Sequence, residues 1–187
     1  MADFDDAALF SVLIDARASR GELALLGLSR EALGGLLARH RPGAVARAVD
    51  SPDGFSGFNE ASVPPAAHAA FVAALRERLM GDANPAVDAD DARCLATIIA
   101  HACLRPDHLW RDLGLSGRDA ASAMLARYFP ALVARNTANL RWKKFFARDL
   151  ALARGDEPAP APGCPGCEDY LRCFPGDGFP GDGGPSA

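Results

Sequence analysis

Apolar residues recur at the spacing of an α-helix along most of this chain, and that pattern limits the folds open to it. In the first such stretch, from about residue 5 to 18, Leu9, Phe10, Leu13 and Ile14 fall on one helical face. The composition is rich in Ala and Leu and poor in runs of β-branched residues. The sequence therefore predicts an all-α fold, a single helical domain of about six to seven helices.

Two stretches give the clearest helix predictions. Ser29 is placed to cap a helix that buries Leu33, Leu36 and Leu37. The stretch from about Asp90 to Leu104 is apolar on nearly all sides, which is typical of a helix surrounded by others. We therefore expect residues 90–104 to form the central helix.

Later boundaries are predicted from turn and capping residues. Ser116, with Asp119 three residues on, has the pattern of a capping box for the next helix. A long helical pattern then covers residues 130–155, within which Asn136 and Asn139 indicate a kink.

Charge and composition exclude some classes of protein. The chain has 187 residues and a net charge of −4, so bulk attraction to nucleic acid is not indicated. No apolar run approaches membrane-spanning length, and the acidic stretch Met1 to Asp6 is unlike a signal peptide. We expect a cytoplasmic protein, in which the five cysteines stay reduced and form no disulfide framework.

The composition changes sharply after Gly155. The residues after Gly155 hold 7 of the 14 prolines and 7 of the 18 glycines, a composition that buries too little apolar surface to order itself. We therefore predict a helical domain over residues 1–154, a cysteine-rich metal-binding loop over 155–174 and a disordered tail over 175–187.

Three cysteines stand close together in that loop, as Cys164, Cys167 and Cys173. Two intervening residues can turn the backbone so that the first two sulfurs face one centre, and the third returns after five more. Three thiolates held in this way can bind zinc or the irons of an iron–sulfur cluster. A redox dithiol is the other interpretation, although the βαβ setting of such motifs is absent. A structural zinc site would also need a fourth ligand, and no other Cys or His is near in sequence.

A basic, aromatic segment precedes the cysteines and contains Arg141, Lys143 and Lys144. By itself, such a stripe is typical of a solvated helix face with its aromatic residues in the core. Beside three thiolates, the same cations would favour an anionic cluster or an oxyanion such as molybdate or phosphate.

The remaining cysteines and histidines predict structure more than chemistry. Cys94 and Cys103 are nine residues apart and fall on opposite faces of one helix, so they cannot share a centre. Each is expected to be a small buried hydrophobe. His101 and His108 are treated as structural residues, with His108 and Trp110 shaping the body.

Several segments, in this order, make the chain similar to the NifQ family. They are residues 36–44, residues 95–104, Asp107 to Leu115 with its His-Leu-Trp, Phe129-Pro130 with Asn136, Arg141 to Phe146, and the cysteine loop that ends at Cys173-Phe174. The resemblance covers most of residues 22–174.

The resemblance implies an iron–sulfur cluster able to carry molybdenum, and a molybdenum-donating metallochaperone with no turnover chemistry of its own. It also implies two partners, the cofactor scaffold NifEN and the Fe protein NifH, in assembly of the nitrogenase iron–molybdenum cofactor. The family's pattern is Cys-x4-Cys-x2-Cys-x5-Cys, whose last three positions match Cys164, Cys167 and Cys173. Its first position falls on Ala159.

Three interpretations of that departure stay open. Three thiolates can each hold one iron while oxygen, nitrogen or solvent ligands hold molybdenum; Cys103 or His101 can supply a fourth ligand; or the metal function is lost. The alternative class of protein is a zinc- or iron–sulfur-binding regulatory or interaction module. An enzyme is the weakest interpretation, because no nucleophile–base pair, phosphate loop or carboxylate pair stands out.

Overall fold

The computed structural model describes residues 5–43 and 63–175, and throughout them the chain is helical without a β-strand. The α-helices that lie wholly within this part are α1 (Asp6–Ala18), α2 (Arg30–His40), α3 (Ala66–Gly81), α4 (Ala89–Ala102), α5 (Leu109–Asp112), α6 (Arg118–Tyr128), α7 (Pro130–Arg135), α8 (Trp142–Arg154) and α9 (Tyr170–Cys173). Two 3₁₀ turns cover Leu23–Leu26 and Cys164–Gly166. The all-α prediction is confirmed. None of the described helices combines the length and the hydropathy needed to cross a bilayer.

Helix α4 is the centre of the fold, as its sequence predicted. Every side chain from Cys94 to Ala102 is buried, and α4 packs against α2, α3 and the 3₁₀ turn Leu23–Leu26. Asp88 caps its first turn by accepting hydrogen bonds from the backbone N–H groups of Asp90 and Asp91. The chain that leaves its C-terminal end, around residues 103–113, carries part of the candidate site.

Two predicted caps have different outcomes. Ser29 caps α2, since its hydroxyl accepts a hydrogen bond from the N–H of Ala32 at 3.1 Å. The capping box at Ser116 and Asp119 was wrong, because α6 begins at Arg118 after Gly117 and no side chain caps it. The chain at Gly117 is fully extended, and this places Ser116 outside the capping position.

The long pattern over residues 130–155 is two helices with a tight turn between them. Asn136 closes that turn, because its side chain accepts from the N–H of Leu140 at 2.8 Å and donates to the carbonyl of Leu140 at 2.9 Å. Asn139 adopts a positive φ of 49°, which breaks the helix rather than bending it. Helix α8 can therefore leave α7 in a new direction and carry its first turn toward the cysteines.

A buried carboxylate, Asp112, joins three cations from distant parts of the sequence. Its Oδ1 accepts from Arg17 at 3.1 Å and from Arg105 at 3.0 Å, and its Oδ2 binds the ammonium of Lys143. Arg17 also donates to the backbone carbonyl of Asp112 and to Glu22. These contacts tie α1, the turn after α4, α5 and α8 together; they are called here the Asp112 cluster.

The segment after Gly155 packs against the body, which its composition did not predict. Ala161 is fully buried and Tyr170 nearly so. The N–H of Gly163 donates to the carbonyl of Cys103 at 2.9 Å, and a Cβ at Gly163 would overlap the backbone of Arg105. A Cβ at Gly166 would lie 2.6 Å from the Cβ of Pro106. Of the predicted disordered tail over 175–187, all but Pro175 lies outside the described residues.

Candidate functional site

One cavity of about 310 Å³ lies between the cysteine loop, the chain around α5 and the first turn of α8. All three clustered cysteines line it, although Cys164 and Cys173 are nine residues apart in sequence. The other lining residues include five cations, two tryptophan rings, one imidazole and three carboxylates. They are Arg111, Arg118, Arg141, Lys143 and Lys144, Trp110 and Trp142, His108, and Asp107, Glu168 and Asp169. The cavity therefore combines soft sulfur ligands with a strongly basic wall.

The loop that presents the thiols is shaped by its backbone. The 3₁₀ turn Cys164–Gly166 closes with a hydrogen bond from the N–H of Cys167 to the carbonyl of Cys164 at 2.9 Å. Helix α9 then brings Cys173 back, and the N–H of Cys173 donates to the carbonyl of Asp169. All three thiols are partly buried.

Burial raises the pKa of the Cys164 thiol, and the ammonium of Lys143 opposes that shift. Metal ligation requires the thiolate, so a metal at Cys164 would have to displace a proton. The nearby cation lowers the cost of forming the anion.

The three cysteine sulfurs are spread more widely than the ligands of one zinc ion. In the described residues, one group of three potential ligand atoms lies within 4.8 Å of one another, and it consists of His108, Glu168 and Asp169 rather than the cysteines. Thiolates around a single zinc, with Zn–S bonds of about 2.3 Å, would lie about 3.8 Å apart.

The three predicted cations all contact the cysteine loop or its support. The guanidinium of Arg141 donates to Asp169, and this hydrogen bond raises the pKa of Arg141 above its usual value. Lys144 binds the carbonyl of Cys173, and its ammonium lies 4.8 Å from the centre of the Phe174 ring. Lys143 is buried and is held by the Asp112 cluster. Arg141 and Lys144 therefore belong to the rim, while Lys143 joins the cavity to the core.

The basic segment is not simply a solvated helix face. Trp142, Phe145 and Phe146 are buried, as the structural interpretation predicted, and the Trp142 ring stacks on Phe146 at 5.9 Å. Lys143 is buried with them, and Arg148 is exposed. The segment thus supplies core packing and one wall of the cavity together.

His108 was treated as structural, and the structure places it in the cavity wall beside the cysteine loop. Its Nε2 lies 3.0 Å from Oδ2 of Asp169 and 3.8 Å from Oε1 of Glu168. Its ring stacks on Trp110 with 6.3 Å between centroids and an angle of 10°. This contact could not be predicted from the sequence, because about 60 residues separate His108 from the loop. Its only signal was its place in the His-Leu-Trp segment.

Other candidates lie elsewhere. Cys94 is buried beside a second cavity, and Cys103 is fully buried, where desolvation raises the pKa of its thiol to about 12. Both are small buried residues, as predicted. Desolvation lowers the pKa of His101 to about 4, and its ring packs against Gly27 rather than lining the first cavity. Ala159 is exposed and does not line the cavity either.

Comparison with known proteins assigns the family. The NifQ family model matches residues 8–175, which is most of the chain. A NifQ homolog of Sinorhizobium fredii is 52% identical over 79 residues, covering 42% of this chain and 34% of the relative. NifQ of Azotobacter vinelandii is 45% identical over 80 residues, covering 43% of this chain and 41% of the relative. The aligned stretches thus span less than half the length of these relatives. No solved structure matches. On the extent of the family match, the chain belongs to the NifQ family.

Proposed function

We propose that this chain binds a molybdenum-carrying iron–sulfur cluster as cargo and donates molybdenum to assembly of the nitrogenase iron–molybdenum cofactor. In this proposal molybdate or another molybdenum source feeds the cluster. NifEN and NifH are the partners, the cytoplasm is the compartment and no substrate is turned over. The observation that carries the proposal is that Cys164, Cys167 and Cys173 line one cavity.

The chemistry of the donors fits such a cargo. Three partly buried thiols provide one ligand for each of three irons, and the cluster supplies the sulfide-bridged metal that is handed on. Thiolates and sulfides make the cargo anionic, and Arg118, Arg141 and Lys144 give the cavity a positive wall. Trp110 and Trp142 cover part of the site with apolar surface, which limits access of water.

The site is also accessible. It is an open cavity, and Glu168 and Leu171 of the cysteine loop are exposed. A carrier must bind firmly and still release its cargo, so ligands on a peripheral loop suit it better than ligands deep in the helical core.

Metal analysis and EPR spectroscopy test the proposal, on full-length protein purified without oxygen from cells given molybdate. We expect iron and molybdenum in a ratio of about three to one, with each iron bound by one thiolate. Cys167→Ala should lose the molybdenum, because it removes a lining thiol.

Cys94→Ala is the matched control, since Cys94 is buried beside the other cavity. Equal molybdenum retention in both variants would overturn the proposal. A colourless protein that holds zinc and no iron would instead identify a zinc-binding regulatory or interaction module.

A further inference from the structure

The cavity that holds the three cysteines also carries a group of nitrogen and oxygen atoms that can bind metal. His108, Glu168 and Asp169 each present one ligand atom, and these three atoms lie within 4.8 Å of one another. All three residues line the same cavity as the three cysteines. Thiols and a separate nitrogen–oxygen group therefore face one space.

The spacing within this group suits a single metal. The Nε2 of His108 lies 3.0 Å from Oδ2 of Asp169 and 3.8 Å from Oε1 of Glu168. Adjacent ligands around a six-coordinate ion, with bonds of about 2.1 Å, are separated by about 3 Å. The imidazole and the Asp169 carboxylate already have that separation, and Glu168 needs only a small side-chain movement.

The imidazole is held in position before any metal arrives. Its ring stacks nearly parallel on Trp110, and the backbone N–H of His108 donates to Oδ1 of Asp107 at 2.7 Å. The side chain is 18% exposed, so it is sheltered without being sealed. A ligand fixed by such contacts loses little freedom on binding.

Other residues that could supply a fourth ligand are poorly placed. Cys103 is fully buried beneath the loop, with a pKa near 12. Cys94 borders the other cavity, and position 159 is an exposed alanine away from the lining. In the described residues, His108 is the one histidine among the lining residues.

We propose that His108 Nε2 is the fourth protein ligand of the cluster, binding the metal that the three thiolates leave open, with the Asp169 carboxylate as its neighbour. This inference rests on the proposed function, because it needs the cluster as cargo. Arg141 and Arg111 now pair with Asp169 and Glu168 and balance the negative charge there. Loading at His108 therefore takes place beside carboxylates whose charge these two guanidinium groups already offset.

The thiol ligands and His108 lie on different parts of the chain. Asp169 and Glu168 lie between Cys167 and Cys173, so they move with the thiolates, whereas His108 belongs to the body just before α5. Binding at His108 joins the loop to the body through the cargo. The open corner becomes a mixed nitrogen–oxygen site, which differs chemically from the three thiolate corners.

The test uses full-length protein, purified without oxygen from molybdate-fed cells and labelled with ¹⁵N-histidine. Pulsed EPR on the paramagnetic cluster detects a histidine nitrogen bound to it. We expect this coupling in the unsubstituted chain and in His68→Ala, whose histidine lies on α3 away from the cavity. His108→Ala should lose the coupling, and its molybdenum content should fall by about tenfold or more. Even substitutions of residues that only support a metal ligand lower metal affinity by that factor.

His108→Cys is the second variant, because it can restore a fourth ligand where alanine weakens the site. We expect it to retain iron and molybdenum without any histidine coupling. Coupling that persists in His108→Ala or His108→Cys would overturn the inference. A molybdenum–iron cluster without histidine coupling in the unsubstituted chain would overturn it and leave the proposed function intact. Neither iron nor molybdenum in that chain would overturn both.

Discussion

Asp112 and Asp169 each hold several cations, but one lies in the core and the other at the rim of the cavity. Asp112 is 6% exposed and contacts Arg17, Arg105 and Lys143. Asp169 is half-buried and contacts Arg141 and His108, with Arg172 nearby. The two regions use the same chemistry at very different degrees of contact with water.

Because of that difference, the ion pairs of Asp112 are permanent, whereas those of Asp169 can be exchanged for other partners. Buried cations that lose their carboxylate cannot recover water, so the Asp112 cluster resists any rearrangement. Ion pairs at a wet rim are weak and are replaced easily by solvent or another ligand. The body is thus built for stability, and the cysteine loop is attached by contacts that can be exchanged.

The largest expected effect comes from Asp112→Asn. The substitution leaves Arg17, Arg105 and Lys143 with too little negative charge in the core, and it should cost about 3–5 kcal/mol of unfolding free energy. Urea denaturation measures the loss. Asp90→Asn is the control, because its pair with Arg93 is exposed, and a loss of similar size there would contradict the contrast.

Acid should weaken the body through His101, whose ring is buried against Gly27. Burial, followed by the charges of Arg105 and Arg76, lowers the pKa of His101 from 6.5 to about 4. The folded chain then binds fewer protons than the unfolded chain between these values. Stability present above pH 6.5 should fall by roughly 2 kcal/mol toward pH 4.

The measurement is unfolding free energy against pH for the unsubstituted chain and for His101→Gln. Subtracting the two curves removes the contribution of carboxylates that both chains share. A difference that stays constant from pH 7 to pH 4 would contradict the role given to His101.

Gly163→Ala should detach the loop while leaving the body folded. The added methyl overlaps the backbone of Arg105, and crowding of this kind costs about 1–3 kcal/mol. Hydrogen exchange should rise at residues 161–173 and stay unchanged in α4. Gly34→Ala is the control, since nothing lies within 4 Å of a Cβ there. If hydrogen exchange at residues 161–173 rises in both variants, the effect does not come from the contact of Gly163 with Arg105.

The smallest effect on global stability is expected from Asp169→Asn. It removes the shared partner of Arg141 and His108 at the rim, so the loop should open more often while the helices stay intact. Limited proteolysis should cut faster within residues 164–173. Asp15→Asn, which removes an exposed pair with Arg41, should leave the cutting rate at that site unchanged. An Asp169→Asn loop that resists protease as well as the original would argue that the rim contacts do not hold it.

Periodicity predicted much of the body because helix burial follows directly from the apolar pattern. Leu33, Leu36 and Leu37 are buried on α2, and α4 is surrounded as its all-round apolar character indicated. The same pattern missed the break after α7, because a single Asn turn leaves the surrounding periodicity nearly intact.

The cysteine trio and the cations beside it were evident from sequence, because residue type and spacing carry that signal. The place of His108 was not, since proximity across about 60 residues is set by how the loop docks on the turn after α4. The burial of Lys143 was missed for a related reason: its partner Asp112 lies on another helix. Pairwise contacts between distant segments have no periodic signature.

The close contacts of the cysteine loop with the turn after α4 limit which residue types its glycines can be replaced by. Gly163 lies against Arg105, and Gly166 lies against Pro106. Where two helices meet through side chains, a change of volume can be absorbed by rotamers on either side. Here the backbone of Gly163 contacts the backbone of Arg105, and Gly166 contacts the ring of Pro106. Neither neighbour has a rotamer change that could make room for a side chain. Positions 163 and 166 therefore accept only glycine without strain, even where the core residues around them can be substituted.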